Sequence, residues 1–329
     1  MNALLAGCIS LSFVCLVMPL VRWAALRSGF VDRPHGLLKP QTQAVPYGGG
    51  IAAFAGIVVA LLCVHSDVPW MPFAGIAAVL VLGIADDLRG TSPALRLAVE
   101  FVAGATLSVL WPSGSSQWPV VVAWVAFSAF LAGASMNACN MTDGSDGLLG
   151  TVSLGATGGL LVCWLFAGGS VYAQIAAATC GGVLAFLVFN WPPARIYFGD
   201  TGAYCVGFIL TALCIPAMTS WQAALGIMCI MAPLELELLS SVLRRVRGHQ
   251  ELAMGDRRHI YDVMHTSLRL SALSIDIIYA VAGLGSSFTG VLVWRGAPAI
   301  LGAGWLALLC VLVLLLYRRG STSRKAEQR

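Results

Sequence analysis

Eleven apolar runs separated by short polar connections decide what this chain can become. A helix of about 20 apolar residues spans the hydrocarbon of a bilayer, so each run reads as a membrane-crossing helix. The segments are Ala3–Val21, Gly48–Val64, Met71–Ala85, Ala94–Trp111, Trp118–Met136, Leu148–Ala167, Tyr172–Phe189, Ala203–Met218, Trp221–Leu243, Leu273–Trp294 and Ala297–Tyr317. The third is short. The expected fold class is all-α, a polytopic integral membrane protein with about eleven transmembrane helices, ten being the alternative count. Composition agrees: 10% of residues are charged, against about 25% in soluble domains. Trp70, Trp111, Trp118, Trp221 and Trp294 stand at segment ends, where aromatic belts form. The first run lacks a basic start and a clear cleavage site, so it reads as a retained helix. Residues 1–319 read as one multi-spanning domain, and 320–329 as a basic, disordered cytoplasmic tail.

Charge orients the bundle. The odd-numbered connections are 22–47, 86–93, 137–147, 190–202, 244–272 and the tail after Tyr317. With Arg96 just beyond the second, they carry 18 of the 19 basic residues, and the other side holds only Arg295. Positively charged connections stay cytoplasmic. The N-terminus is then expected outside, in the periplasm of a bacterium, and the C-terminus in the cytoplasm. No basic patch is interleaved with aromatics, which argues against nucleic acid as a partner. The ten cysteines show no disulfide or zinc spacing.

The polar residues that chemistry needs collect in the same connections. Residues 137–150 read NACNMTDGSDGLLG, with Asn137, Asn140, Asp143 and Asp146 between two spans. Carboxylates are expensive at the centre of a bilayer, so such a stretch belongs at a helix end or in a wet cavity. Asp86 and Asp87 are adjacent in GIADDLRG, and neighbouring carboxylates repel unless a cation or a proton separates them. Asn190 opens NWPPARIYFGDTG, in which Asp200 falls at an expected helix start, where it reads either as a cap or as a metal ligand. Asp143 has the same alternative, as a cap on the next helix. Arg257, Arg258 and His259 form a compact cationic group, and Lys39 stands in a Pro/Gly-stiffened first loop. Arginine clusters recognise phosphate. Carboxylate-rich oxygen sites suit Mg²⁺ shared with substrate phosphates. Together these are the parts for phosphoryl transfer at a membrane surface, between one water-soluble and one lipid-borne substrate.

Five motifs in order, DRP…VPYGGG, DDLRGTSPALRL, NACNMTDGSDGLLG, NWPPARIYFGDTG and DRRH, resemble those of the polyprenyl-phosphate N-acetylhexosamine-1-phosphate transferases. The resemblance covers about residues 32 to 262. It implies transfer of N-acetylhexosamine 1-phosphate from a UDP-N-acetylhexosamine to undecaprenyl phosphate, with release of UMP. The active site would face the cytoplasm at the inner membrane, and Mg²⁺ would be the cofactor, with Mn²⁺ as an alternative. The catalytic residues implied are Asp86 as base, Asp87 in support, and His259. Asp200, Asp143 and Asn140 would hold the metal. Asp146, Asn137, Asn190, Lys39, Arg257 and Arg258 would bind substrate. A homodimer is a family-level expectation. Relatives often carry His-x-His-His where this chain reads His259-Ile260-Tyr261-Asp262, Pro-Arg where it reads Pro46-Tyr47, and Gln where it has Glu100. These departures point away from the pentapeptide transferases of peptidoglycan synthesis and towards the initiators of polysaccharides such as O-antigen. A transporter is the rival from another class, but a transport path needs polar groups on both sides, and the even connections offer almost none.

Overall fold

The computed structural model describes residues 1–32, 44–66, 69–111, 117–251 and 258–327, with side chains described through residue 318. It is a helical bundle of α1 (Asn2–Ser28), α2 (Gly49–Cys63), α3 (Trp70–Arg89), α4 (Pro93–Ala105, extended by a 3₁₀ turn over Thr106–Leu110), α5 (Trp118–Thr142), α6 (Leu148–Phe166), α7 (Val171–Asn190), α8 (Gly199–Cys214), α9 (Trp221–Arg247), α10 (Ile260–Leu268), α11 (Ala272–Trp294) and α12 (Ala299–Glu327). Among the described residues, ten helices are long and apolar enough to cross a membrane, while α2 is a shorter apolar helix of 15 residues. An antiparallel ribbon pairs β1 (Val31–Asp32) with β2 (Val45–Pro46), setting Val31 opposite Pro46.

Every apolar segment became a helix, but several helices run past the apolar stretch that announced them. The third segment is no short span: α3 has 20 residues and continues through Asp86 and Asp87. Likewise α5 continues through Asn137 and Asn140 to Thr142. Polar residues placed in connections therefore sit on helix ends, because buried partners satisfy them there. The long connection after α9 holds a helix of its own, α10, which buries Ile260, Tyr261 and Met264. In backbone, the tail expected to be disordered carries α12 on to Glu327.

At the centre stands α8, with 14 of its 16 residues buried. Its neighbours include α2, α3, α5, α6 and α7. Lipid offers no hydrophobic drive for helices to associate, so close backbone packing through small residues has to do that work. A Cβ on Gly50 would overlap the Gly202 backbone of α8, and one on Gly83 would overlap that of Thr201. By contrast α12 lies at the periphery and exposes Ile300, Leu308, Leu312 and Leu315.

Contacts between helix ends gather the odd-numbered connections at one end of the bundle. The C-terminal turn of α3 meets the first turn of α8 through Asp87 and Thr201, and the end of α7 meets the start of α6 through Asn190 and Gly147. At the other end, Trp294 Nε1 donates to the Ala217 carbonyl at 2.9 Å, and Arg295 lies 4.0 Å over the ring of Phe166.

Gly83→Ala is expected to force α3 away from α8 and to cost about 1–3 kcal/mol. Gly158→Ala, where an added Cβ meets nothing within 4 Å, serves as the control. The two variants are compared by thermal denaturation in detergent; equal melting temperatures would show that the α3–α8 approach does not limit stability.

Candidate active site

A helix start leaves backbone N–H groups without intrahelical partners and carries partial positive charge. At α8 no side chain of the helix's own cap residue meets that need. Asp87, from the end of α3, does. Its Oδ1 accepts the Asp200 N–H at 2.8 Å, and its Oδ2 accepts the Thr201 N–H at 3.1 Å and the Thr201 hydroxyl at 2.7 Å. The approach is tight enough to need glycine at 199, where φ is +77° and a Cβ would lie 2.7 Å from Asp87 Oδ2. The capping reading of Asp200 thus gives way, because a carboxylate from another helix caps α8. Asp200 itself accepts a short hydrogen bond from Asn140 Nδ2 on α5.

Asp143 follows α5 directly. It does not cap the next helix either: α6 begins after Gly147, without a side-chain cap bond. Burial, followed by the charges of Asp200 and Asp87, pushes its carboxyl well above the usual range, against a weaker opposing pull from the nearby Gly199 N–H. Three carboxylates from α3, the α5–α6 turn and α8 therefore surround Gly199. Tyr47, just after β2, hydrogen-bonds to Asp32, and burial together with the charges of Asp32, Asp87 and Asp200 pushes its hydroxyl up.

Asp86 has a different position from its neighbour. Its Oδ1 accepts from the Thr91 N–H at 2.7 Å and the Thr91 hydroxyl at 2.9 Å. Its Oδ2 accepts from the Tyr204 hydroxyl at 2.8 Å and from Arg96 Nη1 at 3.3 Å. Both oxygens of this buried side chain are engaged within the protein.

Other expected substrate contacts form internal clamps. Asn190 Oδ1 accepts the Gly147 N–H at 2.9 Å, while its Nδ2 donates to the Ile196 carbonyl at 2.9 Å. Asp146 Oδ2 accepts the Ala194 N–H at 2.9 Å. Together they fasten the turn after α5 to the Pro-rich segment after α7. Asn137, one turn deeper on α5 than Asn140, donates to Glu100 Oε2 at 2.5 Å and to the Gly133 carbonyl at 2.8 Å.

His259 caps α10. Its ring accepts from the Asp262 backbone, and Asp262 in turn accepts from the His259 N–H at 3.2 Å. The residue that departs from His-x-His-His thus completes a capping box. Behind the ring lies Glu237 of α9, 0% exposed, whose Oε2 is 3.8 Å from His259 Nδ1. Glu237 also accepts the Ile260 N–H at 2.9 Å and a short bond from the Tyr279 hydroxyl of α11. Tyr261 stacks on His259 at 5.5 Å and lies against Gly144, which ties α10 to the α5–α6 turn. Arg258 is exposed and lines a cavity between α9, α10 and α12. Lys39 and Arg257 lie outside the described residues.

Sequence reading missed Glu237, Tyr204 and Tyr261, and met Asp276 only as an acid that a transporter could use. Two acids within an apolar span, Glu235 and Glu237, were a visible signal, since an intramembrane carboxylate demands a partner. Asp276 is 0% exposed, lies against Gly147, and neither of its oxygens finds a hydrogen-bond partner among the described residues. The tyrosine roles had no local signal.

Among the described residues, no three acidic, histidine or cysteine side chains form a closed metal cage. The donors around Gly199 nevertheless fit a hard cation. They are oxygen donors, and the charge crowding that raises Asp143 is relieved when a cation arrives. Mg²⁺ is normally held by one or two carboxylates with substrate phosphates and water completing the shell.

Residues 69–218 match the family model described as glycosyl transferase family 4. That range includes Asp86, Asp87, Asn140, Asp143, Asn190 and Asp200. The chain is 24% identical to a "Probable undecaprenyl-phosphate N-acetylglucosaminyl 1-phosphate transferase" of Bacillus subtilis (strain 168), over 94% of this chain and 88% of that protein. It is 30% identical to a phospho-N-acetylmuramoyl-pentapeptide-transferase of Synechococcus elongatus, over 70% of each chain. It is 26% identical to the undecaprenyl-phosphate alpha-N-acetylglucosaminyl 1-phosphate transferase of Escherichia coli (strain K12), over 85% of this chain and 81% of that one.

Clamps and crowded acids should respond oppositely to substitution. Asn190→Leu leaves a buried N–H and a buried carbonyl unpaired, each costing about 1–3 kcal/mol, and is expected to lower the melting temperature by about 5 °C or more. Asp143→Asn relieves repulsion and is expected to leave the melting temperature unchanged or raised. Thermal denaturation of the two variants decides; a comparable drop for Asp143→Asn would make that carboxylate another structural clamp.

Proposed function

The chain belongs to glycosyl transferase family 4, and from that premise we propose that it transfers N-acetylhexosamine 1-phosphate from a UDP-sugar to undecaprenyl phosphate, releasing UMP. The observation that carries this reading is the convergence of Asp87, Asp143 and Asp200 around Gly199, at the end of the bundle where the basic connections lie. By the charge rule that end faces the cytoplasm of a bacterial inner membrane, where the nucleotide sugar is dissolved and the lipid phosphate is anchored.

In the reaction an oxygen of the lipid phosphate attacks the sugar-bearing β-phosphorus of the donor. The bond from that phosphorus to the bridging oxygen breaks, and its electrons leave with UMP. Positioning and charge neutralisation account for most of such catalysis. Asp143 and Asp200 would hold Mg²⁺, or Mn²⁺ in its place, and Asn140 fixes the Asp200 carboxylate through its hydrogen bond. When bound, the cation screens the diphosphate charge as it shifts onto the leaving UMP. Asp87 positions Asp200 by holding the first turn of α8. Asp86 holds Arg96 and Tyr204 beside the acids. An acceptor phosphate with a second pKa of about 6 is already mostly dianionic at pH 7, so the reaction asks little of a base. His259, its ring fixed by Asp262 and Glu237, would contact the donor phosphates together with Arg257.

Relatives named for N-acetylglucosamine transfer align along most of the chain, and Asp262 takes the place of a histidine. Both support an initiating role in cell-envelope polysaccharide synthesis, with UDP-N-acetylglucosamine as the first donor to try.

Purified protein with undecaprenyl phosphate, UDP-N-acetylglucosamine and Mg²⁺ is expected to release UMP; chelation should abolish release and added Mg²⁺ restore it. Asp200→Asn and Asp143→Asn are each expected to lower kcat by about 10²–10³. No UMP from any UDP-N-acetylhexosamine, with full turnover retained by Asp200→Asn in whatever activity is found, would end this reading.

A further inference from the structure

A cavity of about 600 Å³ lies between the second half of α9, α10 and α12. It is away from Gly199. Leu236, Leu239 and Leu243 of α9 face Val313 and Leu314 of α12 across it. Three arginines, Arg244, Arg247 and Arg258, line the same cavity, and no carboxylate does among the described residues. Leu239, Leu243 and Leu314 are exposed, so a hydrocarbon chain can pass in sideways from the bilayer.

The cationic end is pre-arranged. Arg244 Nη1 donates to the Arg258 carbonyl at 2.6 Å and to the Tyr317 hydroxyl at 3.1 Å, and its Nη2 donates to Ser241 Oγ at 3.1 Å. This fixes the guanidinium beside two exposed arginines at the end of α9 and the start of α10. Arginine is the side chain best suited to phosphate oxygens. An apolar slot with arginines at its end, near the cytoplasmic end of two spans, complements a phosphate attached to a fatty chain.

The cavity also touches the active site through α10. Val263, Thr266 and Ser267 line the cavity, while Ile260, Tyr261 and Met264 are buried. Whatever fills the cavity braces the helix that begins at His259.

We propose that this cavity is a site for one anionic phospholipid, its phosphate held by Arg244, Arg247 and Arg258 and one acyl chain lying between α9 and α12, and that its occupancy fixes α10. The site is separate from the acceptor site. The effect on turnover rests on the function proposed above; the binding does not.

The test is native mass spectrometry of delipidated full-length protein titrated with phosphatidylglycerol or with phosphatidylcholine of the same chains. One phosphatidylglycerol is expected to be retained at least about tenfold more tightly than phosphatidylcholine. Arg247→Gln should remove that preference, and Leu314→Trp, which fills the slot, should remove the retained lipid while leaving Arg247 in place. UMP release in nanodiscs should fall several-fold when phosphatidylcholine replaces phosphatidylglycerol, and Arg247→Gln should no longer respond to the exchange. Equal retention of the two lipids, or undiminished retention by both variants, overturns the proposal. So does displacement by inorganic phosphate, which would mark a free-phosphate site, or one-for-one displacement by undecaprenyl phosphate, which would mark the acceptor site. Selective lipid retention without UMP release in any lipid would instead sink the proposed function and leave the lipid site standing.

Discussion

The carboxylate of Asp87 on the first turn of α8 is the contact on which the rest of the site depends. It joins the end of one span to the start of another through two backbone N–H groups and a hydroxyl. A charge at a helix N-terminus is favoured by the exposed N–H groups and by the dipole. Because Asp87 performs that task, Asp200 need not. The backbone junction requires glycine at 199, and Asp143 lies close enough to feel the Gly199 N–H and the charges of Asp200 and Asp87. One interaction thereby brings acids from three separate elements around a single residue.

Such crowding is costly unless something offsets it. The protein invests in rigidity around it. Asn190 and Asp146 fasten the turn that bears Asp143, Asn137 is fixed by Glu100, and Asp86 is occupied by Thr91, Arg96 and Tyr204. In sequence Asn137, Asn190 and Asp146 read as substrate ligands and Asp86 as a base; in the structure each is bonded within the protein. Their number reflects the setting, since irregular backbone near a membrane must find its partners within the protein.

A second assembly, Glu237 with Tyr279, Ile260 and His259, anchors α10 to α9 and α11. It holds in place the helix whose Val263, Thr266 and Ser267 line the arginine-lined cavity. A short helix held between a reactive centre and a lipid-facing slot is a natural place for bilayer composition to influence turnover.

Much of the architecture was legible in the sequence because membrane insertion reads length and hydropathy locally. Each apolar run became a helix, and the basic connections share one end. The approximate location of the site was legible for the same reason, since acids and amides in a lipid-soluble chain stand out. Helix ends were misjudged where Asn137 and Asn140 looked like loop residues, since hydropathy cannot register a buried partner. Roles were less legible than locations. Whether a carboxylate caps, clamps or crowds depends on what lies opposite it: Asp87 opposite Thr201, Asp146 opposite Ala194, Asp143 opposite Asp200. Those partners stand 48 to 114 positions away along the chain or come from another helix altogether. Sequence by itself determined a bundle of apolar helices with basic connections and acids at one end. Tertiary structure alone decided which acids are satisfied and which are not, because hydrogen bonds and charge repulsion act over a few ångströms of space, whatever the distance along the chain.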